Sequence, residues 1–144
     1  DLDEARAGLA TDPIWVELSA AVAAVPGLTI AALNGTLAGG AHGMVLACDL
    51  RIAVQQATFF YPAIRLGFVP PAPDPGRLAA LVGPSRARMI FLAGQRIGAE
   101  EALRWGLVDR LVPGEALMET ALDLSAAALA AKEGVTAGIK ALLG

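Results

Sequence analysis

Asn34-Gly35-Thr36-Leu37-Ala38-Gly39-Gly40-Ala41-His42-Gly43-Met44-Val45-Leu46-Ala47-Cys48-Asp49 is the stretch whose reading decides the fold. The apolar run before it, Leu28 to Leu33, reads as a buried strand, and Met44-Val45-Leu46-Ala47 within it reads as a short buried helix. A strand, a glycine-rich turn and a helix start bring unpaired backbone N–H groups to one point. Gly40 has no side chain to block an approach to them. A phosphate, a carboxylate, or a carbonyl oxygen gaining charge in a reaction would each suit such donors. The same glycines also suit a plain tight turn with close helix packing, and the local pattern leaves both readings open.

Upstream, Thr11-Asp12-Pro13 has the form of a helix start, a polar cap followed by proline. Ile14, Leu18, Val22 and Val25 then keep helical spacing up to the stop at Pro26-Gly27. Residues 1–10 read as a short helix or turn. Downstream, Leu50 to Val54 and Thr58 to Tyr61 read as strands, and two strands separated by a helix predict a parallel β/α arrangement. Pro62 to Gly76 holds more than half of the nine prolines. Proline removes backbone donors and disfavours helix in the residue before it, which predicts an ordered, irregular loop. Such a loop serves either as a rigid surface connection or as a wall of a binding pocket. Helices are expected over Arg77–Val82, Ser85–Ala93, Gly98–Trp105 and Pro113 to about Lys132, with an extended piece over Leu107–Val112. A last helix runs over Val135–Leu143, after Gly134.

The 144 residues are enough for one domain with a real core. The hydrophobic fraction, 56%, exceeds the usual range of about 45–50%, yet no uninterrupted apolar run reaches the ~20 residues of a membrane helix. The excess therefore points to a subunit interface. Net charge is −3 with no basic block, which argues against a nucleic-acid partner. Cys48 and His42 are the single residues of their kinds, so a zinc site built on them within one chain is not expected. The lone Cys48 reads as a small buried residue, in keeping with a cytoplasmic setting.

Several dispersed motifs stand at matching intervals: Ile30-Ala31-Ala32-Leu33-Asn34-Gly35, Ala38-Gly39-Gly40, and Ala47-Cys48-Asp49-Leu50-Arg51-Ile52-Ala53. They continue with Phe59, Pro62, Leu66-Gly67, Arg77-Leu78, Val82-Gly83, Leu92-Ala93-Gly94, Ala99-Glu100-Glu101-Ala102 and Gly106-Leu107-Val108. In these the chain resembles the crotonase superfamily, the enoyl-CoA hydratase/isomerase family, from about Leu28 to Val112. The resemblance implies an α/β fold, a spiral of β-β-α turns over residues 1–112, incomplete at its start, followed by a helical oligomerisation region over 113–144. It implies an acyl-CoA thioester as substrate, with coenzyme A entering only as part of it and no separate cofactor or metal, and a homotrimer or hexamer. Gly40 matches the family's second oxyanion donor. Leu37, Ala38, Gly43, Tyr61, Pro62, Ala63 and Leu66 match positions around the acyl group. Asp1-Leu2 looks like the end of a Gly-Ala-Asp-Leu stretch, so the family's first oxyanion donor corresponds to a position upstream of it.

Two departures bear on the chemistry. The hydratase glutamates match Gly43 and Ala63, neither of which can move a proton. Asp74 is the acid in the loop from Pro70 to Gly76, and it reads either as a turn residue between prolines or as a general base over the α-carbon. Tyr61 reads as a core residue with a satisfied hydroxyl or as a hydrogen-bond donor to the acyl group. Helical projection turns His42 about 200° from Gly40, toward packing or a subunit contact. The expected function is therefore an acyl-CoA enzyme with a non-standard active site, or alternatively a catalytically silent acyl-CoA-binding homologue.

Overall fold

The computed structural model of the chain describes residues 3–4 and 7–144. The helix or turn expected over residues 1–10 lies partly outside these, and Leu9–Thr11 forms one 3-10 turn. Helix α1 covers Ile14–Ala23, and the Asp12 carboxylate accepts a hydrogen bond from the Ile14 N–H at 2.8 Å, as an N-terminal cap does.

Two three-stranded sheets follow in alternation. Strands β1 (Ile30–Leu33) and β2 (Leu37–Ala38) lead into helix α2 (Ala41–Ala47). Strands β3 (Leu50–Val54) and β4 (Thr58–Phe60) lead into the single-turn helix α3 (Ala63–Leu66). Each β-β-α turn thus gives one strand to each sheet. The first sheet has the order β1-β3-β6, all parallel, with β6 at Arg110–Val112; the second has β2-β4-β5, with β5 (Ile97–Gly98) antiparallel to β4. The parallel pairing expected of the strands flanking α2 is present as Ile30 opposite Leu50 through Leu33 opposite Ala53. Strand β2, inside the stretch read as a glycine turn, was not expected; two residues are too few to show a period.

The proline-rich segment is more helical than the sequence reading allowed. Helix α4 begins at Pro73 and runs to Val82, so Pro73, Asp74 and Pro75 form its first turn. N–H groups in a first turn have no intrahelical acceptor, so proline there removes nothing the helix uses. Asp74 consequently belongs to a helix start rather than to a loop. Helices α5 (Pro84–Phe91), α6 (Ala99–Trp105), α7 (Leu117–Leu129) and α8 (Val135–Leu143) complete the chain.

The core lies between the sheets and α4, α5 and α6, around Ile52, Phe59, Leu78, Ile90 and Leu107. Buried Arg51 ties the end of α2 to the core: Nη1 donates to the Cys48 carbonyl at 2.7 Å and Nε to the Leu107 carbonyl at 3.0 Å. Cys48 itself, at the C-cap of α2, is half-buried rather than enclosed. Among the described residues no helix is long and apolar enough to cross a membrane.

Candidate active site

The turn into α2 is set by Gly39, whose φ of 60° lies in the left-handed region that favours glycine. Gly40 follows as the N-cap of α2. The Gly39 carbonyl accepts the His42 N–H at 3.0 Å and Nδ1 of its ring at 3.1 Å. A carbonyl can only accept, so the proton sits on Nδ1 and Nε2 carries the lone pair. Nε2 is buried and has no partner among the described residues. Burial holds the imidazole down to about 4, with the Gly39 hydrogen bond acting the other way.

Helix α1 packs directly on α2. The Trp15 ring covers Gly40 so closely that a Cβ there would stand 2.7 Å from Cδ2 and Cε2. The indole N–H donates to the Leu9 carbonyl at 2.6 Å, fixing the ring. One helical turn along α1, buried Ser19 stands against Gly43, at 3.4 Å from where its Cβ would be. Thus residues 15 and 19, four apart, meet residues 40 and 43, three apart. Trp15 and Ser19 formed no part of the sequence reading; the pairing of those two spacings was the available signal.

Asp74 also stands against Gly43. A Cβ on Gly43 would be 2.8 Å from Oδ1 and 3.4 Å from Oδ2. The carboxyl is fully buried, at 0% exposure. Tyr61, also buried, donates its hydroxyl to Oδ2 at 3.2 Å, while Oδ1 has no partner among the described residues. Burial pushes the Asp74 carboxyl up, against the opposing Tyr61 hydrogen bond and the Arg77 charge one turn along α4. Burial, followed by the Asp74 charge and hydrogen bond, likewise raises the Tyr61 phenol. The Tyr61 ring touches His42 at 5.1 Å between centroids and Phe91 at 4.9 Å. Arg77, which the sequence reading placed in a helix and a family motif but not in the site, carries a buried Nη1 without a hydrogen-bond partner among the described residues.

The fold therefore gathers Gly43, Tyr61 and Asp74 from the expected set, and adds His42. The others are dispersed around this cluster. Leu37 is buried in the second sheet, next to half-buried Ala38; Pro62 precedes α3; and Leu66 is exposed on it. Ala63 opens instead onto an apolar cavity of about 440 Å³, shared with Phe68, Pro75, Pro84, Ala87 and Phe91. Neither Gly40 nor Gly43 lines that cavity. Among the described residues no group of three or more His, Cys, Asp or Glu is placed to hold a metal ion.

A family model described as enoyl-CoA hydratase/isomerase matches residues 7–143. The chain belongs to the enoyl-CoA hydratase/isomerase family. It is similar to the carnitinyl-CoA dehydratase of Citrobacter koseri, 41% identical over 96 residues, which are 67% of this chain and 37% of that protein. Among solved structures it is similar to DspI of Pseudomonas aeruginosa, 36% identical with a TM-score of 0.85, covering 90% of this chain and 49% of that one. It is also similar to the enoyl-CoA hydratase of Bacillus anthracis, 30% identical with a TM-score of 0.84, covering 96% and 56%. The fold is that of these family members, and the chain spans about half the length of the solved relatives it matches.

Proposed function

We propose that the chain binds an acyl-CoA thioester, stabilises its enolate oxygen with the Gly40 backbone N–H, and moves the α-proton with Asp74. Coenzyme A enters as part of the substrate. The observation that carries this reading is the buried Asp74 carboxyl, with one oxygen unpartnered against the bare backbone of Gly43. An enolate places negative charge on the thioester oxygen, and fixed N–H donors at a helix start are suited to that charge. Gly43 and Ala63 carry no acid, so the pair of glutamates that holds water for hydration has no counterpart at those positions. Proton transfer at the α-carbon needs one acid–base group and no water, which favours isomerisation or exchange over hydration.

Trp15 and Ser19 cover Gly40 and Gly43, so entry of a thioester requires α1 to shift from α2. The full enclosure of Asp74 also favours a second reading, an acyl-CoA binder without turnover. Exchange of the α-protons of butyryl-CoA in D2O, followed by proton NMR, separates the two. We expect exchange by the native chain and a loss of about 10²–10⁴-fold in Asp74→Asn. Crotonyl-CoA hydration, read as loss of enoyl absorbance, should stay barely above background. Binding without exchange in the native chain selects the silent reading, and hydration at ordinary hydratase rates overturns the first. A cytoplasmic setting and a homotrimer or hexamer belong to the same reading, resting on the lone Cys48 and on the exposed apolar faces of α7 and α8.

A further inference from the structure

The two oxygens of Asp74 are not equivalent. Oδ2 is engaged by the Tyr61 hydroxyl at 3.2 Å. Oδ1 is buried, has no partner among the described residues, and stands 2.8 Å from where a Cβ on residue 43 would be. A buried acceptor left empty is costly, and in a carboxyl it is relieved by a proton on that oxygen or by a donor that a ligand brings. Tyr61 is itself fixed on two sides by the rings of His42 and Phe91, so its hydroxyl is presented in one place. The acid at the start of α4, the tyrosine after β4 and the glycine of α2 therefore fit as one device: one holds, one carries, and one leaves room.

We infer that Tyr61 is the positioning residue of Asp74, and that Oδ1, the oxygen over Gly43, is the atom that exchanges a proton with the acyl thioester. This rests on the reading of Asp74 as the acid–base group. In the step, the Cα–H bond of the thioester breaks and its proton bonds to Oδ1. The electron pair of that bond passes into the enolate, whose charge sits on the thioester oxygen. Return of the proton, or of a deuteron from solvent, to the same carbon closes the cycle without a co-reactant. Tyr61 keeps its own proton throughout and acts only by holding Oδ2. The groups facing the carboxyl are Tyr61 after β4 and Arg77 on α4, with the His42 ring behind Tyr61.

The test is Tyr61→Phe in the full chain, with two readouts. The first is the ¹³Cγ titration of Asp74, its signal identified by its loss in Asp74→Asn. Removing a hydrogen bond to the ionised form should move the Asp74 midpoint upward. The second is the pH profile of butyryl-CoA α-proton exchange in D2O. Its acid limb should move upward by the same amount, and the plateau rate should fall at least about 10-fold, as loss of a charge-assisted hydrogen bond would give. The concentration of butyryl-CoA at half-maximal rate should stay unchanged. An Asp74 midpoint that does not move in Tyr61→Phe overturns the positioning role. If the midpoint moves but the exchange profile does not follow, Asp74 is not the proton carrier. That result overturns the functional reading and the assignment of Oδ1, while the Tyr61 contact stands. The circular dichroism and unfolding midpoint of Tyr61→Phe show whether the fold is retained, and the ¹³C titration remains decisive even for a slowed variant.

Discussion

His42 and Asp74 are buried ionisable groups on two sides of Tyr61, and burial makes them act on stability with opposite signs. The folded-state value of His42 is lowered from 6.5 to about 4. Between these values the unfolded chain holds a proton that the folded chain lacks, so stability falls as pH falls through that window, by up to about 3 kcal/mol. Asp74 is raised above its ordinary 3.8. From there upward the unfolded chain releases its proton first, so stability falls as pH rises through that window. Urea unfolding over a pH series should show His42→Asn losing the acid-sensitive part. Asp74→Asn should gain stability at neutral pH and none below about 3.8. Gly43 gives a second prediction at this scale. Any side chain there must displace Asp74, so Gly43→Ala should cost about 1–3 kcal/mol, much less when paired with Asp74→Gly. Comparing the thermal midpoints of the two single variants and the double checks this coupling. Asp74 was legible in the sequence as a candidate acid, but its contact with Gly43 was not. The two are 31 positions apart, and the helix that joins them starts within a run of prolines that reads as loop.

Under the proposed function, access to the site depends on helix α1. Its Trp15 and Ser19 lie over Gly40 and Gly43, while Ile14, Val16 and Leu18 on other faces stay exposed. Its capping signal at Thr11-Asp12-Pro13 was readable because caps are local chemistry, and the strand, glycine turn and helix around Gly40 were readable for the same reason. What α1 packs against was not, since helix–helix contact depends on which faces meet across the turn at Pro26-Gly27. The expectation is that Trp15 fluorescence reports ligand entry. Butyryl-CoA should change the emission of the native chain and leave that of Trp15→Phe, which retains Trp105, unchanged. No change in the native chain under conditions where binding is measured by calorimetry would mean that α1 stays in place and the thioester enters elsewhere.

At the scale of the molecule, α7 and α8 carry apolar surface on faces the chain itself does not cover. Helix α7 packs Leu117, Ala121 and Leu124 inward, toward β1 and β3. It still exposes Met118, Leu122 and Leu129, so its inner and outer faces are both apolar. Helix α8 is anchored by Lys140, whose Nζ donates to Asp49 Oδ2 at 2.8 Å and to the Gly27 carbonyl at 3.1 Å. That anchor holds one face down and turns Leu142 and Leu143 outward, at 89% and 83% exposure. The excess of apolar residues was plain from composition; which of them the sheets leave exposed, on α7 and α8 as on other elements, emerges only from the packing. Burying one such leucine is worth about 1.5–3 kcal/mol, so a few together support association. Light scattering at micromolar concentration should therefore report a mass above that of one chain. The double variant Leu122→Glu, Leu142→Glu should lower it toward the monomer while leaving helix content unchanged. The substitutions are on outward-facing positions, so loss of the fold in that variant would place these leucines in the core instead. A native chain that is monomeric under these conditions would remove self-association as the use of these faces.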